Sequence, residues 1–302
     1  MKVEKKRVLV VGMARSGIAA AQLLLHHGAL PMLYDAKKAE AFGQDLVALY
    51  ETACEFHLGE DPMPLLDRSD LVVISPGVPI DAPIVKAARE KAIPLVGELE
   101  LAYSLMQGDV LAISGTNGKT TTVTLLGKMF ENAGRIVHVA GNIGYPLSLV
   151  ALSSKKGDVA VVEVSSFQLE SIKTFHPCVA ALLNITEDHL NRHGTMEQYI
   201  RLKQRIFENQ TQDDVAVLNA DDPALAKMAD KVRARVAFFS RTQSVINGAC
   251  VEDGKIVWRW DGLTKPICDA DQILIPGPHN LENALAATAM AAVRGVPPAV
   301  IR

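Results

Sequence analysis

Short apolar runs rich in valine, leucine and isoleucine recur along the chain and alternate with longer segments that mix apolar and polar residues. Such alternation is typical of βαβ units, in which a helix connects two parallel strands. The predicted strands are residues 8–11, 32–34, 71–74, 110–113, 159–162, 179–183 and 215–218. The pattern therefore predicts an α/β protein built on parallel sheet.

The chain is long enough for two domains, because its 302 residues exceed the usual size of about 100 to 200 residues for one domain. A new strand, loop and helix begin near residue 109. We predict a Rossmann-like parallel-sheet domain over residues 1–97. A central α/β domain resembling phosphate-loop ATPases follows over residues 98–302, and residues 284–293 form one of its helices.

Composition and charge exclude several classes of protein. The hydrophobic fraction of 49% and the charged fraction of 22% are ordinary for a globular protein. A net charge of −3 with scattered basic residues disfavours nucleic-acid binding. The four cysteines are far apart and form no CxxC motif, which argues against disulfides and zinc. No run reaches the length of a membrane span, and we expect a cytoplasmic monomer.

The segment Gly115-Thr-Asn-Gly-Lys-Thr-Thr121 lies between a predicted strand and a predicted helix. Its glycines would let the backbone approach phosphates, Lys119 could reach the terminal phosphates, and Thr120 could offer its hydroxyl to Mg²⁺. Ile113 stands where the general pattern has its first glycine, so a glycine turn before a threonine-rich helix is the alternative. The predicted ATP contacts are Gly115, Thr116, Asn117, Gly118, Lys119, Thr120 and Thr121.

This loop resembles that of the Mur ligases and the related folylpolyglutamate synthetases, which activate a carboxylate as an acyl phosphate and then form an amide. Two further strings, Glu163-Val-Ser-Ser-Phe-Gln-Leu-Glu170 and Asn184-Ile-Thr-Glu-Asp-His-Leu190, resemble the branch of the family that adds D-glutamate. Ser75-Pro-Gly77 and Gly97-Glu-Leu-Glu100 extend the resemblance into the first domain. It implies an ADP-forming ligase of peptidoglycan precursor synthesis, with ATP, two Mg²⁺ ions, UDP-N-acetylmuramoyl-L-alanine and D-glutamate as ligands.

The resemblance also implies roles for three candidate metal ligands besides Thr120. Glu163 follows a predicted strand at the same sheet edge as the loop and would hold Mg²⁺, although an exposed carboxylate is the alternative. His189 would bind the second Mg²⁺, against a purely structural histidine, and His193 is interpreted as structural. Lys203 would be carbamoylated into an anionic oxygen ligand, against a solvated helix lysine. Lys119, His189 and Lys203 are the candidate catalytic residues.

Other candidate residues would contact the adenine of ATP, the region of the γ-phosphate and the uridine nucleotide. By resemblance, Asn280 and Asn283 lie near the adenine, although helix capping would also explain Asn280. Asn142 matches a position near the substrate and the γ-phosphate, with a turn asparagine as the alternative. Gly12-Met-Ala-Arg-Ser-Gly17 departs from the dinucleotide fingerprint at Ala14. The resemblance instead implies uridine diphosphate there, contacted by Arg15, Ser16, Asp35 and Ser75.

Three other functions stay open at this point: another Mur-type or folylpolyglutamate ligase, a nucleotide-binding module without turnover, and an NAD(P)-dependent oxidoreductase built on the first domain. Mur ligases resembling this chain have a third, C-terminal domain that binds the amino acid. We find no room for that domain before residue 302. We therefore expect a two-domain chain that binds the uridine nucleotide, and ATP weakly, but ligates D-glutamate at a negligible rate.

Overall fold

A computed structural model describes residues 1–188 and 190–302. The chain forms two compact units, and the predicted α/β fold class is confirmed. The first unit contains Met1–Gln107, Tyr145–Lys155 and Glu170–Phe175. The second contains Gly108–Gly144, Lys156–Leu169 and His176–Arg302.

The first unit is built on a five-stranded parallel sheet. Its strands are β1 (Arg7–Val11), β2 (Leu30–Asp35), β3 (Glu55–Leu58), β4 (Leu71–Ile74) and β5 (Leu95–Gly97), in the spatial order β3-β2-β1-β4-β5. The first helices are α1 (Arg15–His26), α2 (Val47–Tyr50), α3 (Met63–Leu66), α4 (Pro83–Glu90) and α5 (Glu98–Leu105). The central strand β1 is buried from Val8 to Val11, which accounts for its uninterrupted valine and leucine sequence.

The first unit extends ten residues beyond the boundary that we predict after residue 97, since it runs to Gln107. Helix α5 belongs to this unit because its apolar side chains, including Leu99 and Leu101, are buried. The unit also takes in two later segments. One contains the α-helix Leu147–Ala151 (α7), and the other is the stretch Glu170–Phe175.

Two glutamates of α5 hold these later segments. Glu98 Oε1 accepts a hydrogen bond from Ser148 N at 2.8 Å, at the beginning of α7. Glu100 accepts from the backbone N–H groups of Lys173, Thr174 and Phe175 at 2.8, 2.8 and 3.0 Å, and also from the Thr174 hydroxyl. The two glutamates of the string Gly97-Glu-Leu-Glu100 therefore bind the two later segments to α5 within the first unit.

Glu98 is expected to make the stability of the first unit depend on pH. It is 1% exposed, its Oε2 has no hydrogen-bond partner within the first unit, and burial raises the pKa of its carboxyl above the usual value. The fold therefore favours the protonated acid. Its contribution to stability is fully present below the unfolded pKa of about 4.3 and is lost as the pH rises through the folded pKa.

Glu98→Gln should consequently flatten this dependence and stabilise the first unit at pH 8 by about 1 to 3 kcal/mol, with a smaller gain at pH 5. Urea unfolding at both pH values, followed by amide exchange in β1 and β4, would measure the effect. Glu90→Gln, at an exposed position of α4, is the matched control. An identical pH profile for wild type and Glu98→Gln would contradict the prediction.

The described part of the second unit contains a nine-stranded sheet with the order β14-β13-β12-β11-β10-β9-β6-β8-β7. Its strands are β6 (Asp109–Ser114), β7 (Val137–Gly141), β8 (Val159–Glu163), β9 (Val179–Leu182), β10 (Val215–Asn219), β11 (Arg235–Ser240), β12 (Gly248–Glu252), β13 (Lys255–Trp260) and β14 (Leu263–Asp269). The sheet is parallel from β7 to β12, whereas β13 and β14 are antiparallel.

Several helices of the second unit pack against this sheet. The helices described in this unit are α6 (Lys119–Asn132), α8 (Ser166–Leu169), α9 (Leu190–His193), α10 (Met196–Gln204), α11 (Pro223–Met228), α12 (Pro278–Val293) and α13 (Pro298–Ile301). Phe130 of α6 and Leu285 of α12 lie in one apolar cluster with Ile113 and Val161 of the sheet. None of the helices described is long and apolar enough to cross a bilayer.

Candidate functional site

Three neighbouring parallel strands bring the candidate residues of the second unit to one edge of its sheet. The phosphate loop follows β6, Glu163 ends β8, and Asn184 comes two residues after β9. Because parallel strands present their carboxyl ends on the same side, these residues converge although they are far apart in sequence.

The predicted strand, loop and helix around the phosphate loop are all present. Strand β6 ends at Ser114, and α6 begins at Lys119 directly after Gly118. Gly118 has φ 83°, a left-handed conformation that favours glycine, and a Cβ atom there would lie 2.2 Å from Asn283 Oδ1 unless that side chain moved. The first N–H groups of α6 lack intrahelical acceptors and form an anion-binding helix end.

Lys119 folds back over its own loop. Its Nζ donates to the carbonyl oxygens of Gly115 at 2.9 Å and Thr116 at 2.7 Å. Burial lowers the pKa of Lys119, while the carboxylates of Glu163 and Asp188 oppose that shift. The ammonium group is therefore held where anionic ligands of the loop would meet it.

Glu163 lies beside the loop and accepts hydrogen bonds from two other candidate residues. It is 3% exposed, with Oε2 accepting from the Thr120 hydroxyl at 2.9 Å and Oε1 accepting from Asn142 Nδ2 at 3.0 Å. Carboxylate and hydroxyl oxygens are the hard donors that Mg²⁺ prefers. The residues present thus fit a magnesium ligand set, with Asn142 orienting the carboxylate.

Lys203 is buried and points into the phosphate loop. It is 2% exposed, and its Nζ donates to Gly115 O at 2.9 Å and lies 3.4 Å from Ser114 Oγ. The same amine lies 4.9 Å from the ring centre of Tyr199. Burial and then the neighbouring Lys119 lower the pKa of Lys203 to about 7. A substantial fraction of neutral, nucleophilic amine is therefore available near neutral pH.

A cavity of about 440 Å³ opens beside the loop, which is within the usual range for small-molecule sites. It is lined by Asn117, Gly118, Thr121, Leu183, Asn184, Thr186, Phe239, His279, Asn280, Glu282 and Asn283. Both predicted adenine residues are thus at the cavity that adjoins the phosphate loop.

The helix-capping alternative for Asn280 is wrong. Helix α12 begins at Pro278, and its N-cap is Gly277, so Asn280 lies inside the first turn. Its Nδ2 donates to Pro276 O at 2.8 Å, and its Oδ1 accepts from Asn283 Nδ2 at 3.3 Å. The preceding Pro-Gly-Pro turn places the helix start earlier than the alanine-rich run alone suggests.

The candidates in the first unit surround the beginning of α1. Arg15 and Ser16 are its first two residues, and the preceding Ala14 provides no side-chain cap. Asp35 accepts from Met13 N at 2.8 Å and from Lys37 N at 2.9 Å, while the Ser75 hydroxyl donates to Gly12 O at 2.6 Å. Asp35 and Ser75 therefore shape the loop in which the helix end is presented.

Gly17 closes that loop against the strand. A Cβ atom at this position would lie 1.9 Å from Gly12 O, so no larger residue fits. The helix N-terminus with its free N–H groups is suited to a diphosphate.

One candidate lies outside the described part of the chain, and two further residues contact the phosphate loop. His189 lies outside the described residues, and the described residues contain no cluster of three or more His, Cys, Asp and Glu side chains that could hold a metal. Conversely, Asn184 and Tyr199 contact the phosphate loop, although neither was among the predicted site residues. The sequence signal for Asn184 is that it directly follows the strand predicted over residues 179–183 and opens one of the family-like strings.

Comparison with models of protein families shows the family to which the chain belongs. Residues 113–291, more than half of the chain, match the Mur ligase middle domain. The chain belongs to the Mur ligase family. Residues 6–97 match the Mur ligase MurD-like N-terminal domain.

Two relatives of this Mur ligase chain are each named UDP-N-acetylmuramoylalanine–D-glutamate ligase. The one from Thermoanaerobacter pseudethanolicus is 47% identical over 100% of this chain and 66% of its own length. The one from Alkaliphilus oremlandii is 49% identical over 98% of this chain and 66% of its own length. The chain thus spans slightly less than two thirds of these relatives.

Solved structures of Mur-type ligases share the fold at low sequence identity. The UDP-N-acetylmuramate:L-alanyl-γ-D-glutamyl-meso-diaminopimelate ligase from Neisseria meningitides has a TM-score of 0.63 and 20% identity, covering 98% of this chain and 96% of that chain. The UDP-N-acetylmuramate-alanine ligase from Thermotoga maritima has a TM-score of 0.56 and 19% identity, covering 98% and 67%. These likenesses concern the fold alone.

Proposed function

We propose that this chain forms the nucleotide-binding and acceptor-binding parts of an ADP-forming ligase that joins D-glutamate to UDP-N-acetylmuramoyl-L-alanine. The observation that carries the proposal is the phosphate loop beside Glu163, because ATP-driven activation of a carboxylate needs a phosphate cradle and a metal ligand at one place. The names of the relatives with 47% and 49% identity supply the substrate class.

Different residues of the second unit would contact the phosphates, the metal ions and the adenine of ATP. The N–H groups at the start of α6 and the Lys119 ammonium would hold the β- and γ-phosphates. Thr120 and Glu163 would hold one Mg²⁺, and His189 and Lys203 a second. When bound, Mg²⁺ supplies neutralisation of the charge on the phosphates. Asn280 and Asn283 would contact the adenine at the cavity.

The proposed reaction has two steps. The carboxylate of UDP-N-acetylmuramoyl-L-alanine attacks the γ-phosphorus of ATP, which gives an acyl phosphate and releases ADP. The amine of D-glutamate then attacks the acyl carbon, phosphate leaves, and the amine loses its proton. Lys119 stabilises charge on the transferring phosphoryl group in the first step. Asn142, which holds the Glu163 carboxylate, would set the position of the γ-phosphate end.

The first unit would bind the uridine nucleotide. Its diphosphate would meet the N-terminus of α1, near Arg15 and Ser16, while Asp35 and Ser75 keep the loop in shape. A nicotinamide dinucleotide is a poorer fit, because Ala14 occupies the position of the middle glycine that close approach of a pyrophosphate requires.

An amino-acid-dependent phosphate assay tests the proposed function. The protein would be this chain extended by the remaining third of the Thermoanaerobacter pseudethanolicus relative, assayed with ATP, Mg²⁺ and UDP-N-acetylmuramoyl-L-alanine. We expect phosphate release with D-glutamate and little with L-alanine or L-glutamate. Release driven by L-alanine or L-glutamate would indicate another Mur-type ligase. ATP binding without release for any amino acid would indicate a module without turnover.

Carbamoylation of Lys203 is a separate prediction. The neutral amine attacks CO₂, forming a carbamate N–C bond and losing one proton, and the buried site then gains an anionic oxygen ligand. With ¹³C-labelled bicarbonate, we expect one carbamate resonance in the carbon NMR spectrum. Because the pKa of Lys203 is about 7, its intensity should rise between pH 6 and pH 8 as the amine is deprotonated. Lys203→Arg should abolish the resonance.

The control for this measurement is Lys128→Arg, which changes an exposed lysine of α6 paired with Glu131. It should leave the resonance unchanged. A resonance that persists in Lys203→Arg, or none in the wild type, would exclude the modification at this residue.

A further inference from the structure

Asn184 contacts the phosphate loop with both ends of its side-chain amide. Its Oδ1 accepts from Asn117 N at 2.8 Å and from Thr116 N at 3.1 Å, and its Nδ2 donates to Asn117 O at 3.1 Å. Two N–H donors facing one end and a carbonyl facing the other fix the orientation of the amide. Aspartate could not donate to Asn117 O, and leucine could satisfy neither side.

The residues that follow Asn184 continue the pairing. Thr186 N donates to Thr116 Oγ1 at 3.0 Å, and that hydroxyl donates to Thr186 O at 3.1 Å. The Thr116 backbone N–H also reaches Asn184 O at 3.0 Å. This segment runs in sequence directly into Glu187, Asp188 and His189. The loop that would bind phosphate is thus hydrogen-bonded to the segment that leads to a candidate metal ligand.

The pairing has a consequence for which N–H groups can bind phosphate. Those of Thr116 and Asn117 already donate to Asn184 and are not available. Within residues 116–121, the groups that remain are those of Gly118 to Thr121 at the start of α6, which have no acceptors within the helix. The phosphates are therefore expected to lie over the helix end and not over the first half of the loop.

We infer that Asn184 is a positioning residue for nucleotide phosphates: it fixes the backbone of Thr116 and Asn117 so that the N-terminus of α6 and Lys119 face the ligand. This inference rests on the proposed ATP site. It predicts that the loss falls mainly on the phosphate end of the nucleotide. Asn184 also lines the cavity assigned to the base, but the adenine residues of α12 are held by their own hydrogen bonds.

Titration of the 302-residue chain with MgATP and with adenosine tests the inference, using calorimetry for the first and ligand-observed NMR for the second. Asn184→Ala should weaken MgATP binding at least tenfold and change adenosine binding by less than twofold. Asn184→Asp keeps the two accepted hydrogen bonds, loses the donated one and adds a negative charge. It should therefore also weaken the binding of MgATP more than the binding of adenosine. Asn132→Ala, at the exposed end of α6, is the control and should bind both ligands like the wild type.

The outcomes separate the inference from the proposed function on which it rests. A wild-type chain that fails to bind MgATP would remove the proposed function itself. Wild-type binding with unchanged MgATP affinity in both Asn184 variants would overturn the inference alone. Equal losses for MgATP and adenosine would also overturn it, because they would show general damage to the fold and not positioning of the phosphates.

Discussion

Replacing Lys119 with alanine is expected to weaken ATP binding by on the order of 100-fold, which corresponds to about 3 kcal/mol. The ammonium group is held over the loop by Gly115 O and Thr116 O, next to the N-terminus of α6, so it is positioned to contact phosphate oxygens. The fold should survive, because Lys119 is half-buried at the rim of the loop and contributes no apolar surface to the core. The free energy of unfolding should change by less than about 1 kcal/mol.

Calorimetric titration of wild type and Lys119→Ala with MgATP would measure this effect. Lys128→Ala is the matched control, since Lys128 lies on the same helix but pairs with Glu131 at the surface. It should bind MgATP like the wild type. An affinity for MgATP that is unchanged in Lys119→Ala would mean that the loop does not bind nucleotide phosphates.

Replacing Glu100 with alanine is expected to destabilise the first unit by about 3 to 5 kcal/mol. Its carboxylate is 1% exposed and accepts from three consecutive backbone N–H groups and one hydroxyl in residues 173–175. Each buried donor left without an acceptor costs about 1 to 3 kcal/mol, partly recovered where water enters. Few single substitutions remove so many hydrogen bonds at once.

The position of the tryptophans provides an internal control for this variant. The only two, Trp258 and Trp260, both lie in β13 of the second unit. Amide exchange in β1 and β4 should therefore report an earlier unfolding of the first unit in Glu100→Ala, while the tryptophan fluorescence transition stays close to that of the wild type. Glu90→Ala, an exposed glutamate of α4, should change neither signal. Equal stability of the first unit in Glu100→Ala and wild type would contradict the role assigned to this carboxylate.

The parts of the fold that follow local rules could be predicted from the sequence. Strand β4 coincides with the predicted run at residues 71–74, and α6 begins at Lys119 as the phosphate-loop pattern requires. Strand β1 extends one polar residue beyond its apolar run, and β6 extends one polar residue at each end, because the terminal residues of a buried strand need not be apolar.

Strands β12 to β14, which are joined by two hairpin turns, lie outside the predicted strands, although the sequence contains their turns. Asp253-Gly254 and Asp261-Gly262 have φ values of 47°, 76°, 50° and 79°, which is the pattern of two-residue hairpin turns. Strand β14 lies at the edge of the sheet and is exposed at its first four positions, and β13 also includes Lys255 and Arg259, so neither strand is a long apolar run. A search for apolar runs therefore misses them.

The position of a site residue can be predicted where that residue lies at the end of a strand. Its hydrogen-bond partners cannot be predicted where they belong to segments distant in sequence. Glu163 directly ends β8, and its place beside the loop follows from the order of the strands. The hydrogen bonds of Glu163 to Thr120 and Asn142 depend on side-chain orientation across three segments, which no spacing encodes. For Lys203, burial against the phosphate loop could not be distinguished by sequence from exposure on a helix.

The two later segments that complete the first unit affect how the protein can be synthesised. Helix α5 emerges from the ribosome with Glu98 and Glu100 facing groups that do not yet exist, because their partners lie at residues 148 and 173–175. At about 5 to 20 residues per second, translation takes several seconds to reach them. The stretch that carries the phosphate loop is made during this interval. The two units therefore mature in an interleaved order, and a nascent chain cut off after residue 107 would expose two carboxylates and an apolar helix face to proteases and chaperones.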